Sequence, residues 1–148
     1  MMMKIICVGK LSQPHLKTGI EHYQKQLPFK LTWIDIKDEP DVRGLDKEGE
    51  RIISKLKSDD LIIALAIEGT SLDSEGFARL LDDAFSYHQG DLVWIIGGSH
   101  GLSEAVKKRA SKLISFSNLT FPHQLMRLIL IEQIYRGVSI MRQHPYHK

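Results

Sequence analysis

Two uninterrupted apolar runs constrain the fold of this chain more than any other feature. Residues 61–67 and 92–96 contain no polar side chain, so neither run shows the alternation of a strand that has one face in water. Short apolar runs of this kind are typical of strands that are covered on both faces, as in a parallel sheet between two layers of helices. A fold that contains both runs therefore needs helices from elsewhere in the chain to cover the sheet.

The rest of the chain alternates between short strands and helical patterns. Further strands are predicted over residues 4–8, 29–36 and 113–116. Five helices are predicted. The first runs from Pro14 to before Pro28 and the second over residues 46–57. The third begins after a cap at Ser74, the fourth runs from a cap at Ser103 to about residue 112, and the fifth runs from residue 123 to about residue 141. This alternation predicts an α/β fold, a mainly parallel sheet with helices on both faces. No repeat or linker divides the 148 residues, so we predict a single domain over residues 1–148.

Basic residues are concentrated in the last third of the chain. Residues 103–148 hold eight Lys or Arg and two acidic side chains, although the whole chain has a net charge of only +2. This asymmetry indicates a polyanionic partner. A helix with a solvated basic face would give the same asymmetry, and the sequence leaves both interpretations open.

The predicted last helix is apolar on nearly every side. One core covers only one stripe of a helix, so the remaining apolar residues predict contact with a second subunit. Arg127, Glu132 and Arg136 interrupt the stretch, which is therefore not predicted to span a membrane. The N-terminus lacks a signal-peptide pattern and Cys7 is the only cysteine, so we expect a cytoplasmic protein with no disulfide and no membrane contact.

A glycine-rich turn follows the strand predicted at residues 92–96. In parallel sheets, ligands bind beyond the carboxyl ends of the strands, and residues 65–69, 97–101 and 117–122 occupy that position. Gly97-Gly98-Ser99-His100-Gly101 joins a strand to a helix, where consecutive glycines let the backbone approach a ligand closely. A ligand-binding loop is therefore favoured over a turn that only needs positive φ.

The same five residues also match the G-x-S-x-G nucleophile elbow of α/β-hydrolases. Ser99 would then be the nucleophile, and Glu132 and His147 follow in the order that a hydrolase triad requires. Glu132 lies in the middle of a predicted helix and the chain is short for a hydrolase with a lid, so a serine hydrolase is the weaker alternative. Dinucleotide and P-loop fingerprints are absent, and His144 and His147 have no further ligands beside them, so no metal is expected.

Four motifs, taken in order along the chain, resemble those of one known family. They are Ile96 with the glycine turn, Leu119-Thr120-Phe121-Pro122-His123, Arg127…Glu132-Gln133-Ile134-Tyr135-Arg136, and the closing His144-Pro145-Tyr146-His147-Lys148. The chain closely resembles the bacterial ribosomal RNA large-subunit methyltransferase H family, which belongs to the SPOUT class. The resemblance runs from Lys4 to Lys148, and the ordered set that ends in Pro-Tyr-His-Lys is highly specific.

This resemblance implies an activity, a cofactor and a fold. The implied activity is N3-methylation of a pseudouridine in large-subunit (23S) ribosomal RNA on the assembled ribosome, with S-adenosylmethionine as methyl donor. A homodimer and a C-terminal trefoil knot are implied as well. The implied cofactor-binding residues are Leu65, Gly97, Gly98, Phe116, Ser117, Asn118, Leu119, Thr120 and Phe121.

The implied chemistry sets requirements on nearby side chains. Methyl transfer from a sulfonium is an in-line displacement in which positioning supplies much of the rate. The N3–H of the target base must lose its proton, so a base or a polarising cation is expected near it. The candidates are His123, Tyr146 and His147 for the base, and Arg136 and Arg142 for the cation; the sequence does not choose among them. The non-enzymatic alternative is an RNA-binding module that binds ribosomes without the cofactor.

Overall fold

One sheet contains all the strands of the protein, in a computed structural model that describes residues 1–148. The strands are β1 (Met3–Val8), β2 (Leu31–Ile36), β3 (Leu61–Ser71), β4 (Leu92–Ile96) and β5 (Lys112–Ser115). They lie in the order β2-β1-β4-β3-β5, and every pair is parallel. Their carboxyl ends therefore share one edge of the sheet, which we call the carboxyl edge.

Five helices cover the two faces of this sheet. They are α1 (Pro14–Gln24), α2 (Leu45–Ile53), α3 (Ser74–Tyr87), α4 (Glu104–Arg109) and α5 (His123–Met141). On one face, α5 packs between α1 and α3 over a core that includes Trp94 and Leu130. On the other face, α2 packs against α4 over a second core that includes Ile52 and Val106. The predicted α/β architecture with helices on both faces is confirmed, and none of the helices combines the length and apolarity needed to cross a bilayer.

The apolar runs form the centre of the sheet. All five residues of β4 are buried, and its neighbour β1 is buried over nearly its whole length. Cys7 lies in β1 with 1% of its surface exposed, and burial raises the pKa of its thiol to about 12. This cysteine is therefore a core residue with no reactive thiolate.

The predicted element boundaries differ from the structure in a few places. β3 continues past residue 67 to Ser71, because its end pairs again with β5 after a break between Leu65 and Thr70. Gly69 permits this pairing, since a Cβ there would lie 2.6 Å from the backbone nitrogen of Ile114. The prediction that Ser74 caps α3 is wrong: Asp73 is the N-cap, and its carboxylate accepts from the Gly76 N–H at 2.7 Å.

Candidate active site

The glycine turn after β4 is a tight backbone loop at the carboxyl edge. The Gly101 N–H donates to the Gly98 carbonyl at 3.1 Å, and Gly101 has φ +81°. A Cβ on Gly97 would lie 2.6 Å from the Gly101 carbonyl oxygen, so the returning backbone leaves room only for glycine. A Cβ on Gly98 would lie 3.0 Å from the Val8 side chain, so the turn packs on the end of β1.

The segment from Phe116 to Phe121 follows β5 at the same edge. None of the backbone–backbone hydrogen bonds outside helices and strands involves these six residues. Two hydroxyl contacts order the segment: Ser115 donates to the Ser117 carbonyl at 3.1 Å, and the Leu119 N–H donates to the Ser117 Oγ at 2.9 Å. Most peptide groups of this segment are therefore free to bind a ligand.

The structure places the predicted cofactor-binding residues on or directly after three neighbouring strands, and Leu65, although inside β3, lies level with the end of β4 because Ala64 pairs with Ile95. Leu65 is half-buried where β3 and β5 separate, and β3 lies between β4 and β5. A cavity of about 130 Å³ adjoins this region, lined by Phe116 together with residues from the start of α3 and the middle of α5. Leu65, the glycine turn and the 116–121 segment therefore form one continuous region of the carboxyl edge.

The C-terminal tail, residues 143–148, folds back along α5. The helix ends in a Schellman motif: Gln143 has φ +58°, the His144 N–H donates to the Ser139 carbonyl, and the Gln143 N–H donates to the Ile140 carbonyl. The left-handed residue reverses the chain direction. Tyr146 and His147 are thereby returned to the side of α5.

Tyr146 and His147 join two charged residues of α5 in a polar cluster, which we call the tail cluster. The Glu132 carboxylate pairs with Arg136 at 2.9 Å and accepts from the Tyr146 hydroxyl at 3.0 Å. The Arg136 Nη1 lies 3.0 Å from His147 Nδ1, and its guanidinium carbon lies 4.8 Å from the centre of the Tyr146 ring. Tyr23 of α1 completes the cluster, with its hydroxyl 3.3 Å from that of Tyr146.

Burial and hydrogen bonding set the protonation states in the tail cluster. Desolvation, the largest cause, and the hydrogen bond that Tyr146 donates to the Glu132 carboxylate raise the pKa of Tyr146 well above its ordinary value. The hydrogen-bonded carboxylate of Glu132 raises the pKa of Arg136 further. Tyr146 therefore stays a neutral phenol and Arg136 a cation across the physiological range.

His123 lies apart from the other three predicted catalytic residues. It is the first residue of α5, nine residues before Glu132, which is about 13 Å along a helix axis. Its ring packs on Gly9, where a Cβ would lie 2.7 Å from the ring carbon Cε1. The structure thus groups Arg136, Tyr146 and His147 in one cluster and places His123 at the carboxyl edge of β1. Arg142, the other candidate cation, is exposed at the end of α5 and forms no ion pair.

Two members of the tail cluster were not predicted as site residues. The only catalytic role predicted for Glu132 is that of the acid in a hydrolase triad, and no role is predicted for Tyr23. The i,i+4 spacing of Glu132 and Arg136 is a sequence signal for their ion pair. No local signal indicates Tyr23, because its contact depends on the reversal of the chain at Gln143.

The hydrolase alternative is wrong. Ser99 is exposed and forms no hydrogen bond to a histidine or a carboxylate. Glu132 is bonded to Arg136 and Tyr146, while His147 is bonded to Arg136. The three residues therefore form no triad, since a triad requires the nucleophile, the base and the acid to be linked in series.

The chain is similar to known proteins over nearly its whole length. A family model described as a predicted SPOUT methyltransferase matches residues 1–147. The chain is 47% identical to the ribosomal RNA large subunit methyltransferase H of Acholeplasma laidlawii (strain PG-8A), with both chains covered in full. It is 51% identical to the protein of that name from Streptococcus thermophilus (strain CNRZ 1066) and 47% identical to that from Bacillus pumilus (strain SAFR-032), again over the whole of each chain.

Proposed function

Because this chain belongs to the SPOUT methyltransferases, and within them to the ribosomal RNA large subunit methyltransferase H family, we propose that it methylates N3 of a pseudouridine in 23S ribosomal RNA. The substrate is the assembled ribosome, and the reaction takes place in the cytoplasm. Family membership also implies the C-terminal trefoil knot. The proposal is supported by the similarity of the whole chain to these methyltransferases. It is also supported by the peptide groups at the carboxyl edge that have no hydrogen-bond partner within the protein.

The residues at the carboxyl edge fit S-adenosylmethionine as the methyl donor. Peptide groups of residues 116–121 are free to pair with an adenine edge, and the glycine turn lets a ligand approach the backbone. Leu65 and Phe116 offer apolar surface beside them. When bound, this cofactor supplies an electrophilic methyl group carried by a sulfonium. The protein's own residues then have to hold the target base and favour its deprotonated form.

In this proposal, the tail cluster stabilises the anion that forms when N3 loses its proton. Arginine only donates hydrogen bonds, so His147 Nδ1 accepts from Arg136 and the ring proton lies on Nε2. The cluster therefore offers a cation from Arg136 and an N–H donor from His147, while Tyr146 orders both through Glu132. Such preorganised donors stabilise charge that develops on a base carbonyl. The N3 proton itself is released to water.

The tail cluster acts across a dimer in this proposal. Within one subunit it lies against the middle of α5, and none of its hydrogen bonds reaches a predicted cofactor-binding residue. Several large apolar residues of α5 are only half-buried, among them Leu125, Met126 and Ile129, as expected for a helix that packs on a second copy. We propose that each tail cluster faces the cofactor region of the partner subunit.

Calorimetry with the purified protein tests the cofactor directly. We expect S-adenosylmethionine and its demethylated product to bind competitively and to raise the melting temperature. A protein that binds ribosomes but gives no heat and no stabilisation with either compound would be the non-catalytic RNA-binding module instead.

Mixing two inactive variants tests the arrangement across the dimer. One is Gly98→Val, which introduces a side chain where a Cβ already lies 3.0 Å from Val8; the other lacks residues 143–148. Heterodimers should regain one working site. If confirmed heterodimers stay inactive, each subunit uses its own tail.

A further inference from the structure

A cleft of about 480 Å³ lies at the carboxyl ends of β1 and β2, outside the predicted cofactor region and outside the tail cluster. Its lining includes Lys10 and Lys37 together with Asp38 and His123. A volume of this size is typical of pockets for small ligands. Nothing in the proposed methyl transfer uses this cleft.

Both rims of the cleft are held in place by side chains that reach over from helices. On one rim, the Gln124 side-chain oxygen accepts from the Ser12 N–H at 2.8 Å, which fixes the loop after β1. On the other rim, Arg51 donates to the Lys37 carbonyl at 2.9 Å and pairs with Glu39 at 3.1 Å. The cleft is therefore a preorganised feature rather than a gap between mobile loops.

Two buried polar atoms beside the cleft have no hydrogen-bond partner. One is His123 Nδ1 and the other is Nε of Arg127, a residue with only 2% of its surface exposed. Arg127 is held by Asp35 at 2.9 Å and by the Gly9 carbonyl at 2.8 Å. Buried polar groups in native proteins are nearly always paired. Both atoms are sealed from solvent, so His123 contributes a buried wall to the cleft, beside the Arg127 contacts that fix Asp35 and Gly9.

The charges at the cleft favour a nucleotide over a bare anion. Lys10 and Lys37 are exposed and form no ion pair, so their ammonium groups are free for a phosphate. Asp38 is also unpaired and would repel an isolated anion, but it can accept from a ribose hydroxyl or a base N–H. A ribonucleotide carries both kinds of group.

We propose that this cleft binds a second nucleotide of the RNA strand, next to the one that is methylated. The inference rests on the proposed RNA substrate. The glycine turn packs on Val8 and the cleft begins at Gly9, so the cleft adjoins the predicted cofactor region. A strand whose target base reaches that region can place a neighbouring nucleotide in the cleft, with its phosphate at Lys10 and Lys37.

The first test uses uridine 5′-monophosphate as a probe with the intact protein. We expect it to shift the backbone amide resonances of Gly9, Lys10 and Asp38 at millimolar concentration, and Lys10→Ala/Lys37→Ala to remove these shifts. The control Lys25→Ala/Lys30→Ala removes the same charge from exposed residues near the opposite edge of the sheet and should keep them. Equal shifts from inorganic phosphate alone, or none from the nucleotide, would overturn the inference.

The second test measures methylation of ribosomes at several salt concentrations. Because the two lysines share one phosphate, the slope of log KM against log salt should fall by roughly 0.7 in Lys10→Ala/Lys37→Ala, with kcat retained. An unchanged KM and slope would overturn the inference. If the wild-type protein binds the nucleotide probe but methylates nothing, the proposed function fails while the nucleotide site stands.

Discussion

The hydroxyl of Tyr146 donates to the carboxylate of Glu132 at 3.0 Å, and this bond ties the C-terminal tail to the middle of α5. The single hydroxyl proton of Tyr146 is used in this hydrogen bond, so in the contact between Tyr23 and Tyr146 the Tyr23 hydroxyl is the donor. Tyr146 is thus saturated by two partners. In this position it organises the tail cluster and cannot readily accept a proton.

Replacement of Tyr146 by Phe tests this role. The raised pKa keeps Tyr146 protonated from acidic to mildly alkaline pH, so its ionisation should leave no inflection in the pH–rate profile. Tyr146→Phe should lower kcat about a hundredfold through loss of positioning while the profile keeps its shape. If Tyr146 accepted the N3 proton instead, the variant would lose the rise in rate with pH.

Two replacements of His147 distinguish the roles of its two ring nitrogens. The Nδ1 atom accepts from Arg136 at 3.0 Å, which leaves the Nε2–H as a donor. The amide nitrogen of Gln lies near the position of Nε2, whereas that of Asn lies near the position of Nδ1. Single-turnover methylation should therefore be retained better by His147→Gln than by His147→Asn. The reverse order would mean that the Nδ1 side carries the function.

Removal of residues 143–148 should abolish methylation and leave the fold largely intact. The tail contributes surface contacts, chiefly the Tyr146 ring at 4.7 Å from that of Tyr135, and no residue of the two buried cores. The truncated protein should keep its circular dichroism spectrum and still bind S-adenosylmethionine. Normal methylation by this truncated protein would exclude catalytic roles for both Tyr146 and His147.

An acidic residue far from the site governs part of the acid stability. The Asp91 carboxylate accepts from the Met2 N–H at 3.0 Å and pairs with Lys4 at 3.1 Å, and these contacts lower its pKa. A lowered pKa in the folded state stabilises the protein above the unfolded-state pKa of about 4, and that contribution is lost as the pH falls further. Asp91→Asn should cost about 1 kcal/mol of unfolding free energy at pH 7. In urea titrations, the difference from wild type should shrink steadily as the pH falls below about 4; a constant difference would contradict this origin.

The elements predicted best are those whose pattern is local. Residues 92–96 form β4 and residues 123–141 form α5 as predicted, because an apolar run and a long apolar helix are specified by their own residues. The end of β3 was missed, since Thr70 and Ser71 form a strand only through β5. Tertiary pairing overrides local propensity there.

The candidate site was predictable only in part for the same reason. The cofactor-binding residues came from the family resemblance, and the strand order brings them to one edge. The tail cluster depends on one residue, Gln143, that adopts positive φ at a position where the sequence has no glycine. The cleft beside His123 arises from loops after β1 and β2 that are distant in sequence.

Mass spectrometry of 23S ribosomal RNA tests the central claim most directly. Ribosomes from cells that lack this gene should carry one pseudouridine without its N3 methyl group, and the purified protein with S-adenosylmethionine should restore the methyl group on those ribosomes. Identical spectra with and without the gene, and no methyl transfer by the purified protein, would contradict the account.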